Sequence, residues 1–295
     1  MIDFIHESTF WIIVLGSGLL GATSGILGSF AVLKNQSLLG DAISHAALPG
    51  IVLAFLFTGI KSSSVLMMGA ILCGLLGAFL VNDIVKYTKL KTDAALGVIL
   101  SVFFGVGMML LTYVQGLDNS NQAGLDRYLF GQAATLLKED LYLMLAFLIP
   151  SIAVIYLLWK EFKVTLFDGD YAETLGISSR LVNSIIMLLI VINIVMGLQT
   201  VGVVLMSSLL LSPAAAARQW TNSLKKMLLI AAIIGLISGV SGAWISATQS
   251  NLPTGPVITL VASVFVVVSL LFSPHRGIIA MHIENQRKKK EILND

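Results

Sequence analysis

The chain has 295 residues, of which 57% are hydrophobic and only 12% are charged, with a formal net charge of +2. Soluble domains carry about 25% charged residues, so this composition excludes an ordinary water-soluble protein and predicts a polytopic membrane protein. The near-neutral balance gives no basis for nucleic-acid binding, and the single cysteine, Cys73, excludes an internal disulfide.

Runs of about 17 to 25 apolar residues predict the membrane-spanning helices. In chain order there are nine such runs: 10–33, 39–59, 63–85, 94–114, 140–159, 181–198, 201–217, 227–248 and 257–272. Only Gln199 and Thr200 separate the sixth run from the seventh, so one broken helix, and eight spans in all, is the alternative. The expected fold class is an all-α polytopic membrane protein.

Basic residues are distributed unevenly between the two ends of these spans. With nine spans and an outside N-terminus, Lys61, Arg127 and Lys138 lie outside and the other fifteen of the eighteen basic residues lie inside. Because positive charge accumulates on the cytoplasmic side, this asymmetry favours nine spans with the N-terminus outside and the C-terminus in the cytoplasm. Residues 1–275 are then one transmembrane domain, and residues 276–295 are a charged cytoplasmic tail.

Small residues recur on single faces of two predicted helices. They are Gly18, Gly21, Gly25 and Gly28 in the first helix and Gly235 and Gly239 in the eighth. Small side chains let helix backbones approach closely in lipid, where packing holds helices together. These glycines therefore predict a compact helical bundle.

Asp41 and His45 are the candidate functional pair. A carboxylate and an imidazole four residues apart lie on the same face of a helix, and ionisable groups inside a membrane usually mark an ion or substrate pathway. Asp41 as a helix N-cap, or His45 in an interhelical hydrogen bond, is the structural alternative for either residue taken alone. The two together, followed one turn later by the helix-loosening Pro49 and Gly50, favour a metal or proton site.

Two ligands are too few for a tight metal site. Zn²⁺ takes four ligands in proteins, and Mn²⁺ prefers oxygen and nitrogen donors in larger numbers. We therefore expect a second copy of the chain, or a close relative, to supply another Asp and His. The absence of cysteine and of clustered methionine near the pair argues against Cu⁺.

The energy source must lie on another subunit if transport is driven by ATP. The chain contains no G-x-x-x-x-G-K-[ST] phosphate loop, so we expect a transport subunit rather than an enzyme. In the longest cytoplasmic connection, 163–177, Asp168 or Asp170 can cap a short helix and Gly176 can end it. Such a helix is suited to transmit force from a partner, although a surface helix without a partner is an equal alternative.

Four stretches carry a resemblance to a known family: 37–50, 124–132, 167–177 and 201–216. In them the chain resembles the permease subunit of the ABC importers for manganese, zinc and iron. The first stretch, which holds Asp41 and His45, is the most specific. The stretch 124–132 is similar to the manganese-type branch.

This resemblance implies a fold like that of the vitamin B12-type (type II) ABC importers, in a bacterial plasma membrane. It implies two permease subunits, identical or paralogous, two cytoplasmic ATPases that bind ATP, and an extracytoplasmic metal-binding protein. The implied cargo is Mn²⁺, with Zn²⁺ or Fe²⁺ as alternatives, and no cofactor is held permanently.

The resemblance also implies roles for particular residues. Asp41 and His45 occupy the metal-coordinating position. A cytoplasmic coupling helix near 168–177 docks on the ATPase and includes Asp168, Asp170, Ala172, Glu173, Leu175 and Gly176. The rival hypothesis is an ion- or proton-coupled secondary transporter that uses Asp41 and His45 as a relay and needs no ATPase.

Overall fold

The computed structural model describes residues 8–60, 62–116, 138–200, 202–249, 252–274 and 276–282. Within these ranges the regular structure is helical. The helices are α1 (Ser8–Leu33), α2 (Leu39–Thr58), α3 (Ser63–Tyr87), α4 (Thr92–Gln115), α5 (Lys138–Leu157), α6 (Trp159–Phe167), α7 (Gly169–Thr174), α8 (Ser179–Thr200), α9 (Val203–Trp220), α10 (Leu224–Thr248) and α11 (Thr254–Phe272). The predicted stretch 124–132 lies outside the described residues.

The nine predicted apolar runs correspond to the nine long helices of the described ranges. Eight of these are long and apolar enough to cross a membrane, and α9 is the ninth. The sixth and seventh runs form separate helices, α8 and α9, because Gly202 precedes α9 with φ +90°, a backbone angle that favours glycine. The all-α polytopic fold class is confirmed.

The glycine faces of α1 and α10 pack against each other. A Cβ atom added to Gly21 would lie 2.7 Å from the carbonyl carbon of Gly235, and Gly25 stands equally close to Ala231. Gly239 in turn lies against the backbone of Ser17. The predicted close packing is thus confirmed, and the glycines of α1 pack against those of α10.

Helix α2 lies at the centre of the bundle and packs against α3, α4, α8 and α9. Gly50 lies against the backbone of Gly69 in α3, while Leu48 and Pro49 lie against Gly107 in α4. Helix α2 continues through Pro49 and Gly50 to Thr58, so neither residue ends it. Gly50 instead permits the close approach of α3.

Candidate metal site

Asp41 lies in the first turn of α2 rather than at its cap. The helix begins at Leu39, and the capping position is held by Leu38, which makes no side-chain cap hydrogen bond. The N-terminal turn of a helix carries partial positive charge from its unpaired N–H groups. Asp41 therefore lies at the end of α2 whose partial charge favours an acidic side chain.

His45 lies one turn further along the same face and contacts α4. Its ring packs edge-on against Phe104, with centroids 4.8 Å apart and an interplanar angle of 73°. The Nδ1 atom is buried and has no hydrogen-bond partner among the described residues. This nitrogen thus lacks the interhelical hydrogen bond that would make His45 a packing residue.

Pro49 changes the backbone around the pair. Proline has no N–H, so residue 49 cannot donate the usual helical hydrogen bond to the carbonyl oxygen of His45. That oxygen lies on the turn that carries the imidazole. The side chains of Asp41 and His45 together offer oxygen and nitrogen donors, the type that Mn²⁺, Fe²⁺ and Zn²⁺ accept.

The single chain brings only part of a coordination shell to this place. Asp41 and His45 are both half-buried. Within the described ranges, no three His, Cys, Asp or Glu side chains gather in a way that could hold a metal ion. The remaining ligands of a four- or six-coordinate ion have to come from backbone, water or another subunit.

The connection between α5 and α8 folds into two short helices, α6 and α7. The sequence predicted the second of these, α7. The Asp168 carboxylate caps α7 by accepting a hydrogen bond from the Tyr171 N–H at 2.9 Å. Gly176 has φ +79°, and the N–H groups of Gly176 and Ile177 donate to the carbonyls of Glu173 and Ala172. These two bonds form a Schellman motif, which ends α7.

The predicted coupling residues divide into two groups. Ala172 is fully buried and holds α7 against its own chain. Asp168, Asp170, Glu173, Leu175 and Gly176 are exposed, so a partner can reach them.

Sequence reasoning missed two large side chains in the same connection. Phe167 and Tyr171 are 60% and 55% exposed, and Leu175 is 54% exposed. Their regular spacing of four residues was the feature of the sequence that could have identified them. Together these three side chains give α7 and the residues that flank it an exposed apolar surface beside the acidic residues.

An aromatic contact fastens this connection to the bundle, and a hydrogen bond joins two neighbouring parts of the bundle. The buried Phe162 of α6 packs on Phe30 of α1, with ring centroids 5.7 Å apart. In the turn after α1, the Lys34 ammonium donates a hydrogen bond to Asn183 Oδ1 of α8 at 2.5 Å. Burial lowers the pKa of Lys34 to about 8. The Phe30–Phe162 contact thus joins α6 to α1, and the Lys34–Asn183 bond joins the turn after α1 to α8.

Comparison with known proteins agrees with this architecture. The ABC 3 transport family model matches residues 6–273. The chain is 48% identical over 267 residues to the zinc transport system membrane protein TroC of Treponema pallidum (strain Nichols), with 90% of each chain covered. It is 45% identical over 285 residues to the manganese transport system membrane protein MntC of Bacillus subtilis (strain 168), covering 97% of this chain and 65% of that relative.

A solved structure is similar over nearly the whole chain. It is PsaBC from Streptococcus pneumoniae in complex with Fab, with a TM-score of 0.80 and 30% sequence identity. The similarity covers 94% of this chain and 98% of that chain.

Proposed function

The chain belongs to the ABC 3 transport family, and from this membership we propose that it is the membrane permease subunit of an ATP-driven importer of divalent transition metal ions. The proposed cargo is Mn²⁺, with Zn²⁺ and Fe²⁺ as the alternatives to be tested beside it. The observation that carries the proposal is the Asp41–His45 pair on the central helix, with a buried imidazole nitrogen that has no partner among the described residues.

The chemistry of the pair suits a divalent cation. Such an ion loses much of its hydration in a low-dielectric passage, and nearby negative charge must offset that loss. Asp41 supplies one negative charge, so two copies of the chain supply two and balance the ion. Neutral His45 adds a nitrogen ligand without adding charge. Two Asp–His pairs facing each other would provide four side-chain ligands.

The proposed partners are a second permease subunit, two cytoplasmic ATPases and an extracytoplasmic metal-binding protein. The exposed surface of α7, with Tyr171 and Leu175, supports ATPase docking there. Ser179 of α8 donates a hydrogen bond to the Gly169 carbonyl at 2.8 Å, which ties α7 to the membrane helix that follows. A push on α7 by the ATPase would therefore move α8, and access to the metal would alternate between the two sides.

The proposed location is a bacterial plasma membrane, with the N-terminus outside and the C-terminus in the cytoplasm. The concentration of basic residues in segments such as 86–91 and 287–290 supports this orientation. It places α6 and α7 on the cytoplasmic side, where ATP is available. It places the outer ends of the spans where a binding protein can deliver metal.

Metal uptake tests the proposal directly. Cells carrying wild type, Asp41→Ala or His45→Ala are supplied with Mn²⁺, Zn²⁺ and Fe²⁺ in parallel. Asp83→Ala is the matched control, because Asp83 is also a carboxylate on a long helix but lies exposed on α3. We expect both site variants to lose uptake of the cargo metal while still assembling, and the control to transport normally. Normal uptake by Asp41→Ala and His45→Ala would remove the pair from the pathway.

A second arm separates an ATP-driven importer from an ion-coupled transporter. The complex is purified, and uptake is measured with an ATPase subunit that cannot hydrolyse ATP. We expect an ATPase to co-purify and uptake to stop when its hydrolysis is blocked. Uptake that continues without ATP hydrolysis, and ceases when the proton gradient is collapsed, would support the relay hypothesis instead.

A further inference from the structure

Helix α9 differs from the other long helices of the described chain. It is the least apolar of the nine long helices in the described ranges. Met206, Leu209 and Leu210 are fully buried, whereas Ser208 and Ser212 lie half-buried on another face. The hydroxyl oxygens of these two serines are 3.4 Å apart and share a hydrogen bond.

The half-buried face of α9 lies beside Asp41. A Cβ atom added to Gly40 would lie 2.7 Å from Ser207 Cα, so α9 contacts α2 at the residue before Asp41. The opposite flank of α9 is closed by α8, where Met206 fills the space next to Gly197. Ser208 therefore faces away from α8, towards the side of α2 that carries Asp41.

Helix α4 bounds the same space from the other direction, because its Phe104 packs against His45. Asp41 and His45 thus lie in a gap between α4 and α9. Both residues are only half-buried within this chain.

A third hydroxyl lies on α2 next to this gap. Ser44 is fully buried, and its Oγ atom has no hydrogen-bond partner among the described residues. It lies one helical turn after Gly40, so it is on the side of α2 that faces α9. A buried hydroxyl without a partner is unfavourable by about 1–3 kcal/mol unless another molecule pairs with it.

We propose that Ser44, Ser208 and Ser212 form a hydroxyl-lined wall along which the divalent cation, with part of its hydration shell, moves to and from Asp41. This inference rests on the proposed function and extends it from the two ligands to the passage. Neutral hydroxyl oxygens replace water around a hard or borderline cation without adding charge, so the ion is guided but not trapped.

Cysteine accessibility tests the wall without relying on transport. Single-cysteine variants Ser208→Cys and Ser212→Cys are made in a Cys73→Ala background, and the assembled complex is treated with a charged methanethiosulfonate reagent. Ser263→Cys is the matched control, because Ser263 lies on α11 among exposed apolar side chains such as Leu260 and Val264. A thiol in water ionises and reacts, whereas a thiol in lipid does not.

We expect both α9 variants to react at least about tenfold faster than the control, because only they face water. Bound Mn²⁺ should slow the reaction at Ser208→Cys and leave the control unchanged. Equal unreactivity of the α9 variants and the control would overturn the inference.

Wild-type uptake of Mn²⁺, Zn²⁺ and Fe²⁺ in the same preparations separates the two levels of inference. Transport by wild type together with unreactive α9 thiols refutes the hydroxyl wall and leaves the proposed function standing. Thiols on α9 that react with the reagent, and react more slowly when Mn²⁺ is bound, support the hydroxyl wall. Failure of wild type to transport any of the three metals refutes the proposed function, whatever the thiols do.

Discussion

Gly21→Ala tests the close contact between α1 and α10. The new Cβ would lie 2.7 Å from the carbonyl carbon of Gly235 and 3.5 Å from its Cα, with the carbonyl oxygen closer still. Carbon atoms pack favourably at about 3.5–4.0 Å, so the first contact is about 1 Å too short. Both groups are helix backbone, which cannot rotate away as a side chain can. The two helices must therefore separate.

The separation should be costly because it is not confined to one residue. Gly25 and Gly239 hold the same interface at backbone distance, and their contacts would loosen as well. Overpacking a well-packed core costs about 1–3 kcal/mol, and this site belongs at the upper end. Alanine favours the helical backbone by about 1 kcal/mol relative to glycine, which offsets part of this cost. The net loss is about 2 kcal/mol, which corresponds to a melting temperature lower by about 4–6 °C for a chain of this size.

Thermal unfolding of the purified complex in one detergent measures this effect. Gly116→Ala is the matched control, because its Cβ would meet the Tyr113 carbonyl oxygen at an ordinary 3.5 Å and its φ of −83° suits alanine. The control should melt with wild type. A Gly21→Ala complex that melts at the wild-type temperature would refute the assignment of this glycine to backbone contact.

Three further predictions concern α7 and the turn after α1. Asp168→Ala should remove the cap of α7, destabilise that helix by about 1 kcal/mol and lower the metal-stimulated ATPase activity of the complex. Asp168→Asn, which can still cap the helix, should retain most of that activity. Equal ATPase activity of the two variants would contradict the capping argument. Gly176→Ala should destabilise the end of α7 by about 1 kcal/mol, because a φ of +79° is unfavourable for alanine. Amide hydrogen exchange at residues 169–177 should then become faster, and unchanged exchange would contradict this role of Gly176. Burial lowers the pKa of Lys34 from 10.5 to about 8. Between pH 8 and 10.5 the folded chain therefore binds fewer protons than the unfolded chain, so the free energy of unfolding should rise with pH. Lys34→Met should flatten that rise in thermal melts from pH 7 to 10, and an unaltered slope would show that Lys34 is not its source.

Much of the fold follows from local sequence because a lipid environment allows few backbone solutions. Backbone N–H and C=O groups in lipid must pair within the segment, so a long apolar run becomes a helix whatever surrounds it. The nine helices therefore match the nine apolar runs within a few residues. The common face of Asp41 and His45, the Asp168 cap and the Gly176 terminator are likewise local, since each depends on residues within about two turns.

The partners of each helix face depend on contacts between distant parts of the chain, which periodicity does not specify. The glycines of α1 predicted a close neighbour, but the bundle made that neighbour α10. Gly50 looked like a point of flexibility and is a packing contact with Gly69. Ala172, which the resemblance places in the coupling helix, is buried against its own chain. The position of α9 beside Asp41 likewise comes from the contact between Gly40 and Ser207. Helix formation in lipid is satisfied within one segment, whereas the choice of neighbour is made by shape complementarity among all of them.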